Sequence, residues 1–393
     1  MNIRVIATTK SGYEAPREEF DVFGGHAAGV CYMQNDFDTL RSEDKEKTMK
    51  RVKLTKEAGH HSVYDHLNIT LYLEGIPRVI ELILNNERMM TSSVKSGRYT
   101  VHSVEGVEKK LYEKWVEIFE GLIQKQYQEK YPKFFTVSRI KKLAMENARY
   151  LTGAFTLVSM VHTISYRQLN YVYGFIRDFV AMRKGGKSGT FIKKLIPYLT
   201  QFLSTLDATG YIDEALTHNG KHRILSVFNK TKIQEYFGDV YATTYKGSFA
   251  YITHAHRHRT LRYYVDFVKE PGDLEFYVPE ILRGTDHETQ WQMDLSKVRN
   301  KFPQAMMLDI TEMGNLDDFV LKVYERKCAV VLLETNRYTA DLTKKYYTAM
   351  QSGNHPRADI LKPFIRGSRC TFPGFTCVHP CNFADAISEK RKV

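Results

Sequence analysis

Residues 67–90 constrain the fold of this chain more than any other stretch. Leu67 to Glu74 alternates, with Ile69, Leu71 and Leu73 on one side, the period of a strand with one buried face. Gly75 interrupts it, and Pro77 stands where the first turn of a helix tolerates a residue without an amide hydrogen. Val79, Ile80, Ile83 and Leu84 then recur at helical spacing, which predicts a helix ending near Met90. A strand that passes straight into an apolar helix calls for a sheet with helices laid on it. Ile3 to Thr8 reads as a further strand, and Val107 to Tyr127 as a long helix with Leu111, Trp115, Ile118, Phe119 and Leu122 on one stripe. Thr156 to Ile176 reads as another apolar helical stretch. The expected fold class is α+β.

With 393 residues the chain exceeds one ordinary domain and predicts two. The best candidate linker is Arg183–Gly189 (RKGGKSG), which divides the chain into residues 1–185 and 186–393. The same stretch superficially suggests a phosphate-binding loop, but that pattern needs a glycine at position 181, which is Ala. Aromatic residues make up 12% of the chain, enough for packed cores and too many for a disordered chain. A formal charge of +12 favours anionic partners: nucleotides, phosphorylated cofactors, polyglutamates or nucleic acid. The segment Met1–Gly12 has too short an apolar run for a signal peptide, and no run suits a membrane span. Five cysteines, an odd number, fit a reducing compartment, so the expected location is the cytoplasm.

Around the strand–helix unit lie residues with chemistry to offer. Residues 60–66 read HHSVYDH and residues 86–100 read NERMMTSSVKSGRYT. An arginine fork beside a hydroxyl and backbone amides suits phosphate or a carbonyl-rich base, and Gly97 allows the backbone to approach a ligand closely. Further on, residues 146–149 read ENAR, 163–177 read TISYRQLNYVYGFIR and 253–260 read THAHRHRT. Taken together these resemble the flavin-dependent thymidylate synthase family. Its pattern is roughly H-x-S-V-x-E-H, a strand, E-G-x-x-R, a helix ending R-H-R, then a loop ending S-x-R-Y. His60 to Thr100 fits this frame without a gap.

The resemblance implies reductive methylation of dUMP to dTMP with FAD as cofactor and NADPH and methylenetetrahydrofolate as co-substrates. It implies that Ser96, Gly97, Arg98 and Arg149 bind dUMP, and that Ser62, Arg88, Arg167, Arg257, His258 and Arg259 hold FAD. Ser96 and Arg177 would be catalytic, Arg177 corresponding to the arginine that promotes ionisation of N3 of the base, one residue later than the family spacing. Other departures are plain. Asn86 and Glu87 stand where R-H is expected, Ile83 where Gln is, Val94 where an acidic residue is and Ser165 where Asn is. The complete R-H-R sits in the second half, as Arg257, His258 and Arg259. The chain therefore resembles a tandem member of the family, a duplicated fold in which each half is a mixed sheet wrapped by helices. A composite site using parts of both halves is expected, in a homo-oligomer, most simply a dimer.

Other readings stay open. A changed site could deliver a different one-carbon product, such as a hydroxymethyl pyrimidine, or the chain could be a degenerate paralogue that binds nucleotide or nucleic acid. The basic second-half helix also suits nucleic-acid phosphates, and His254, His256 and His258 could share a strand face and hold a metal. Near the C-terminus, Cys370, Cys377, His379 and Cys381 offer a thiolate-and-imidazole set suited to tetrahedral zinc.

Overall fold

The computed structural model describes the chain apart from residues 10–15, 96–103, 185, 187, 218–222, 230–232, 258 and 268. The strands are β1 (Asn2–Thr8), β2 (Asn68–Pro77), β3 (Met90–Val94), β4 (Leu157–Ser165), β5 (Tyr236–Phe237), β6 (Val240–Ser248), β7 (Arg262–Asp266) and β8 (Met307–Asn315). The helices named below are α1 (Arg17–Tyr32), α2 (Lys45–Glu57), α3 (Arg78–Asn86), α4 (Gly106–Ile123), α5 (Val137–Ala148), α6 (Tyr166–Lys184), α7 (Thr190–Asp207), α8 (Phe249–Ala255), α9 (Asp286–Lys297), α10 (Leu316–Arg326) and α11 (Leu333–Ser352). They build an α+β fold with two four-stranded sheets, ordered β1-β2-β4-β3 and β5-β6-β8-β7. Both sheets, expected to be mixed, are antiparallel throughout.

The two sheets match strand for strand. β4 and β8 start at Leu157 and Met307 and end at Ser165 and Asn315, a constant spacing of 150 residues. Their partners keep the same register, Asn68 opposite Ser165 and Val240 opposite Asn315. β2 carries one residue more than β6, absorbed at a register shift between Leu73 and Ile76, where Gly75 adopts a φ of 65°. Each second strand runs into a buried helix (α3, α8) and each fourth strand into another (α6, α10). This is the pattern an internal duplication would leave.

The compact units are not the two sequence halves. Unit 1 comprises Met1–Lys95 and Leu157–Ser226, and unit 2 comprises Ser96–Thr156 and Val227–Val393. The reason is the apolar stripe of α4. Trp115 and Phe119 are fully buried against Trp291 of α9, with the two indoles edge-to-face at 4.8 Å. The candidate linker Arg183–Gly189 joins α6 to α7 inside unit 1. Within unit 2, Gly153 and Pro303, 150 residues apart, face each other in an isolated bridge. Ala154 N–H donates to the Phe302 carbonyl and Gln304 N–H to the Thr152 carbonyl, each at 2.8 Å, a reciprocal exchange between equivalent segments.

Two local readings change. Thr156–Ile176 is not one helix but β4 followed by α6. β4 is paired on both edges, with Val158, Met160, His162 and Ile164 buried and Ser159, Val161 and Thr163 half-covered, so a polar residue on the buried face and an apolar one on the other blur its alternation. Pro77 is the residue before the first helical turn, with φ −57° and ψ 143°.

Asp294 illustrates how unit 2 is held. Its buried carboxylate accepts from Trp115 Nε1 at 3.0 Å, Lys114 Nζ at 2.6 Å and Lys297 Nζ at 2.7 Å. Burial opposes ionisation, but these donors win and hold its pKa below the ordinary 3.8. Its contribution to stability is therefore present above pH 3.8 and lost as pH falls through the lower folded value. Asp294→Asn should cost about 1–2 kcal/mol near neutrality, after screening of the exposed lysines. In urea titrations the difference from the parent protein should vanish in strong acid.

Candidate functional site

Unit 1 gathers the conspicuous residues of the first half around one carboxylate. His61–Tyr64 form a short 3-10 turn, and Asp65 N–H closes it on the Ser62 carbonyl at 3.1 Å. The Asp65 carboxylate is ion-paired with Arg167 and accepts from Ser165 Oγ at 2.7 Å. Gln168, next along α6, donates to the Arg88 carbonyl. Ser62, Arg88 and Arg167 are thus linked through neighbouring contacts. Among the described residues the buried Nε of Arg167 finds no hydrogen-bond partner, and Ser62 is exposed. Arg177 lies further along α6, its Nη1 bonded to Glu214 at 2.7 and 2.8 Å and its Nη2 to Thr217 at 3.2 Å.

Unit 2 ties the ENAR segment to the helix that carries the second-half basic motif. The tie is a buried carboxylate, Glu334 on α11. Its Oε2 accepts from Tyr150 OH at 2.7 Å and from Ser248 Oγ at 2.6 Å, while Oε1 accepts from Ser248 N–H at 2.9 Å. Ser248 is also the N-cap of α8, bonding Tyr251 N–H at 2.9 Å. Burial raises the Glu334 carboxyl above the usual range, against its donors and nearby Arg149. Arg149 is itself buried, and among the described residues its Nε and Nη2 have no hydrogen-bond partner. Its charge counters the burial that pushes Tyr112 up to about 12.

A cavity of about 420 Å³ lies between these elements, all within unit 2. Glu146 enters it from the ENAR segment, His254 from α8, and Arg326 from the end of α10. Arg139, Lys142 and Arg391 also line it, so cations outnumber the one acidic side chain. Burial depresses Arg391 to about 10 and lowers Arg326 as well, with Arg257 close enough to Arg326 to add to that effect. Such a site favours an anion that restores neutrality. His254 Nδ1 is 3.1 Å from Thr335 Oγ1, and the buried His256 Nδ1 is 2.7 Å from the Ile252 carbonyl. Arg257 is half-buried and Arg259 exposed; Ser96, Gly97, Arg98 and His258 lie outside the described residues.

A family model described as Thy1, thymidylate synthase complementing protein, matches residues 21–177. Over residues 21–177 the chain is similar to this family. Flavin-dependent thymidylate synthases of Pyrococcus furiosus and Pyrococcus abyssi are 26% and 25% identical over 150 residues, 35% of this chain and 57% of each relative. The match thus spans little more than half the length of those relatives. Among solved structures, a flavin-dependent thymidylate synthase from Helicobacter pylori complexed with FAD and dUMP is similar at 18% identity and a TM-score of 0.29, covering 53% of this chain and 99% of that one. A UMP/dUMP methylase from Streptomyces cacaoi, bound with 5-Br dUMP, is similar at 16% identity and a TM-score of 0.30, covering 54% and 96%.

The departures from the Thy1 pattern have local roles. Glu87 is buried, pairs with Arg223 and accepts from Ser226 N–H at 2.6 Å. Asn86 Nδ2 donates to Ser226 Oγ at 2.7 Å. The pair that replaces R-H therefore anchors residues 223–226 of unit 1. Sequence reasoning missed Arg326, although the signal existed. The family spacing asks for an arginine at position 176, and Arg326 stands 150 residues beyond it, the interval that relates β4 to β8. Arg299 likewise stands 150 beyond Arg149. Glu334, which joins the two motifs, had no such signal.

Among the described residues no group of three or more His, Cys, Asp or Glu side chains is placed to hold a metal. Cys370, Cys377, His379 and Cys381 line a wider cavity, and the cysteines are free thiols. His254 and His256 lie on α8 and at its C-cap, not on a strand. Among the described residues no helix is long and apolar enough to cross a membrane.

Proposed function

We propose that the 420 Å³ cavity of unit 2 binds dUMP and that the chain is a flavin-dependent thymidylate synthase producing dTMP with methylenetetrahydrofolate and NADPH. One observation carries the reading: Glu146 from the first sequence half and His254 and Arg326 from the second line the same cavity. A composite site across the halves would thus lie within a single compact unit. Arg139, Lys142 and Arg391 on the cavity wall suit the phosphate of dUMP, while Arg149, which does not line the cavity, stays a candidate because its Nε and Nη2 have no hydrogen-bond partner among the described residues. Arg326, lowered by burial, suits the developing negative charge at N3 of the pyrimidine, because a pre-positioned cation in a dry site stabilises it without reorganisation. Ser96, Gly97 and Arg98 remain candidate nucleotide ligands.

For FAD, the Ser62–Arg88–Arg167 cluster fits, since Arg167 has an unpartnered nitrogen and Ser62 an exposed hydroxyl. Arg257, His258 and Arg259 are the further candidates. Bound flavin would supply the reducing equivalents for the transfer; the side chains named here bind, orient and neutralise. Purified protein should be yellow and show the flavin absorbance bands, and Arg257→Gln or Arg259→Gln should lose flavin on gel filtration. Full retention by both variants would sink their assignment. Calorimetry should show dUMP bound by the parent and about tenfold or more weaker binding by Arg149→Gln.

A second reading rests on His254. It stands three residues before Arg257, where the family has Gln, so a nucleotide edge would meet an imidazole in place of an amide. That change favours a different one-carbon product, such as a hydroxymethyl pyrimidine. The mass of the product formed from dUMP separates the two readings.

A further inference from the structure

Four of the chain's five cysteines, Cys328, Cys370, Cys377 and Cys381, line a second cavity of unit 2, about 960 Å³. Three of them share the C-terminal loop, whereas Cys328 comes from the turn between α10 and α11. A backbone hydrogen bond joins these two segments one residue before each of two thiols: Arg369 N–H donates to the Lys327 carbonyl at 2.8 Å, which brings Cys370 beside Cys328. The buried Lys327 side chain adds a second tie, its Nζ donating to the Phe364 carbonyl at 2.9 Å and pairing with Glu389 at 2.8 Å. Partial burial, and after it the nearby Cys381, Cys328 and Cys377, push the Cys370 thiol above its ordinary 9.0. Cys328 has a cation close by, the buried Arg391, whose charged form a thiolate there would favour. Among the described residues no carboxylate lines this cavity, whereas Lys133, Arg139 and Arg369 do, and cations without acids favour a thiolate.

We infer that Cys328 and Cys370 are a redox-active pair that a hydroperoxide converts to a disulfide. The Cys328 thiolate attacks one peroxide oxygen, the O–O bond breaks, and the departing oxygen takes up a proton and leaves as water or alcohol. Cys328 is thereby oxidised by two electrons to a sulfenic acid, and the peroxide is reduced. The Cys370 thiolate then attacks the Cys328 sulfur, the S–O bond breaks, and a water leaves as the disulfide forms. Cys370 is the poorer attacker on a free peroxide, being the less ionised thiol, but it meets the sulfenic acid without diffusion. The link has a mechanical consequence. Ala329 and Val330, next to Cys328, wall both this cavity and the smaller one, and Val331 N–H closes their turn on the Cys328 carbonyl at 3.1 Å. A disulfide at Cys328 pins that shared strip. The inference does not depend on what either cavity binds.

The full-length protein, reduced and desalted, is exposed to hydrogen peroxide, its remaining thiols are blocked with N-ethylmaleimide, and the digest is mass-mapped. The expected product is a peptide pair joined through Cys328 and Cys370, lighter by two hydrogens than its reduced halves and reopened by dithiothreitol. Cys31, exposed on α1 of unit 1, should appear in no linked peptide. With dimedone present, Cys370→Ser should accumulate a trapped sulfenic acid on Cys328, and Cys328→Ser at least ~tenfold less on Cys370. Amide hydrogen exchange at 329–331 should slow at least ~fivefold in the oxidised protein and recover on reduction. Excess peroxide that leaves Cys328 and Cys370 open to alkylation overturns the inference. A preferred link to Cys377, Cys381 or Cys31, a link formed only between molecules, more trapped sulfenic acid on Cys370 than on Cys328, or unchanged exchange at 329–331 would overturn it too. Should either serine variant fail to fold, the linked peptide and the exchange of the parent protein decide alone.

Discussion

Lys322→Met is expected to be the most destabilising single change in unit 2. Lys322 on α10 places Nζ 2.7 and 2.6 Å from the two carboxylate oxygens of Glu312 on β8, and both side chains are fully buried. Tyr241 OH donates to the same carboxylate at 2.6 Å, and Tyr245 OH donates as well. Burial pushes the Lys322 ammonium down, and the Glu312 charge opposes that, so each ion depends on the other. Removing the ammonium leaves a buried carboxylate with hydroxyl donors only, at a cost of about 3–5 kcal/mol, against ~0–1 for an exposed pair. The midpoint of urea unfolding should fall accordingly, and Glu312→Gln added to Lys322→Met should recover much of the loss. A single variant within 1 kcal/mol of the parent would show that the pair is neutral to stability.

The second large effect concerns turnover. Arg326→Gln should lower the rate of tritium release from 5-labelled dUMP, with NADPH and methylenetetrahydrofolate present, by about 10²–10³-fold, the range for loss of a group that stabilises developing charge. Nucleotide affinity should change less, because the charge that Arg326 would meet develops only in the transition state. Arg177→Gln should leave the rate within a few fold, since Glu214 and Thr217 already engage that guanidinium in unit 1. Unchanged turnover in Arg326→Gln together with abolished turnover in Arg177→Gln would reverse the assignment. A protein with no flavin and no dUMP binding would instead support a degenerate paralogue.

Much of the fold is legible in local chemistry. The alternation of Ile69, Leu71 and Leu73 and the apolar helix after Pro77 form as their periodicity dictates, since strand and helix bury different residue intervals, whereas Gly75 only shifts the register of a strand that runs on to Pro77. β4 escaped that logic. Paired on both edges, it is half-covered at its outward positions, and an apolar run of that kind reads equally well as helix. The departure at Asn86 and Glu87 could be seen in the sequence but not explained from it, because their partners Arg223 and Ser226 lie some 140 residues away.

By itself the sequence determined the α+β class, the likeness of residues 21–177 to the Thy1 family and the presence of a basic motif in the second half, since each rests on residue identity at short spacing. Only the tertiary structure decided which of those residues meet. It joined Tyr150 and Ser248 through Glu334, put Glu146, His254 and Arg326 around one cavity and kept Arg177 with Glu214. It also put Cys370, Cys377, His379 and Cys381 on the wall of one cavity. The physical reason is that α4 must bury Trp115 and Phe119, and it does so against Trp291, drawing residues 96–156 into the unit that holds the second sheet.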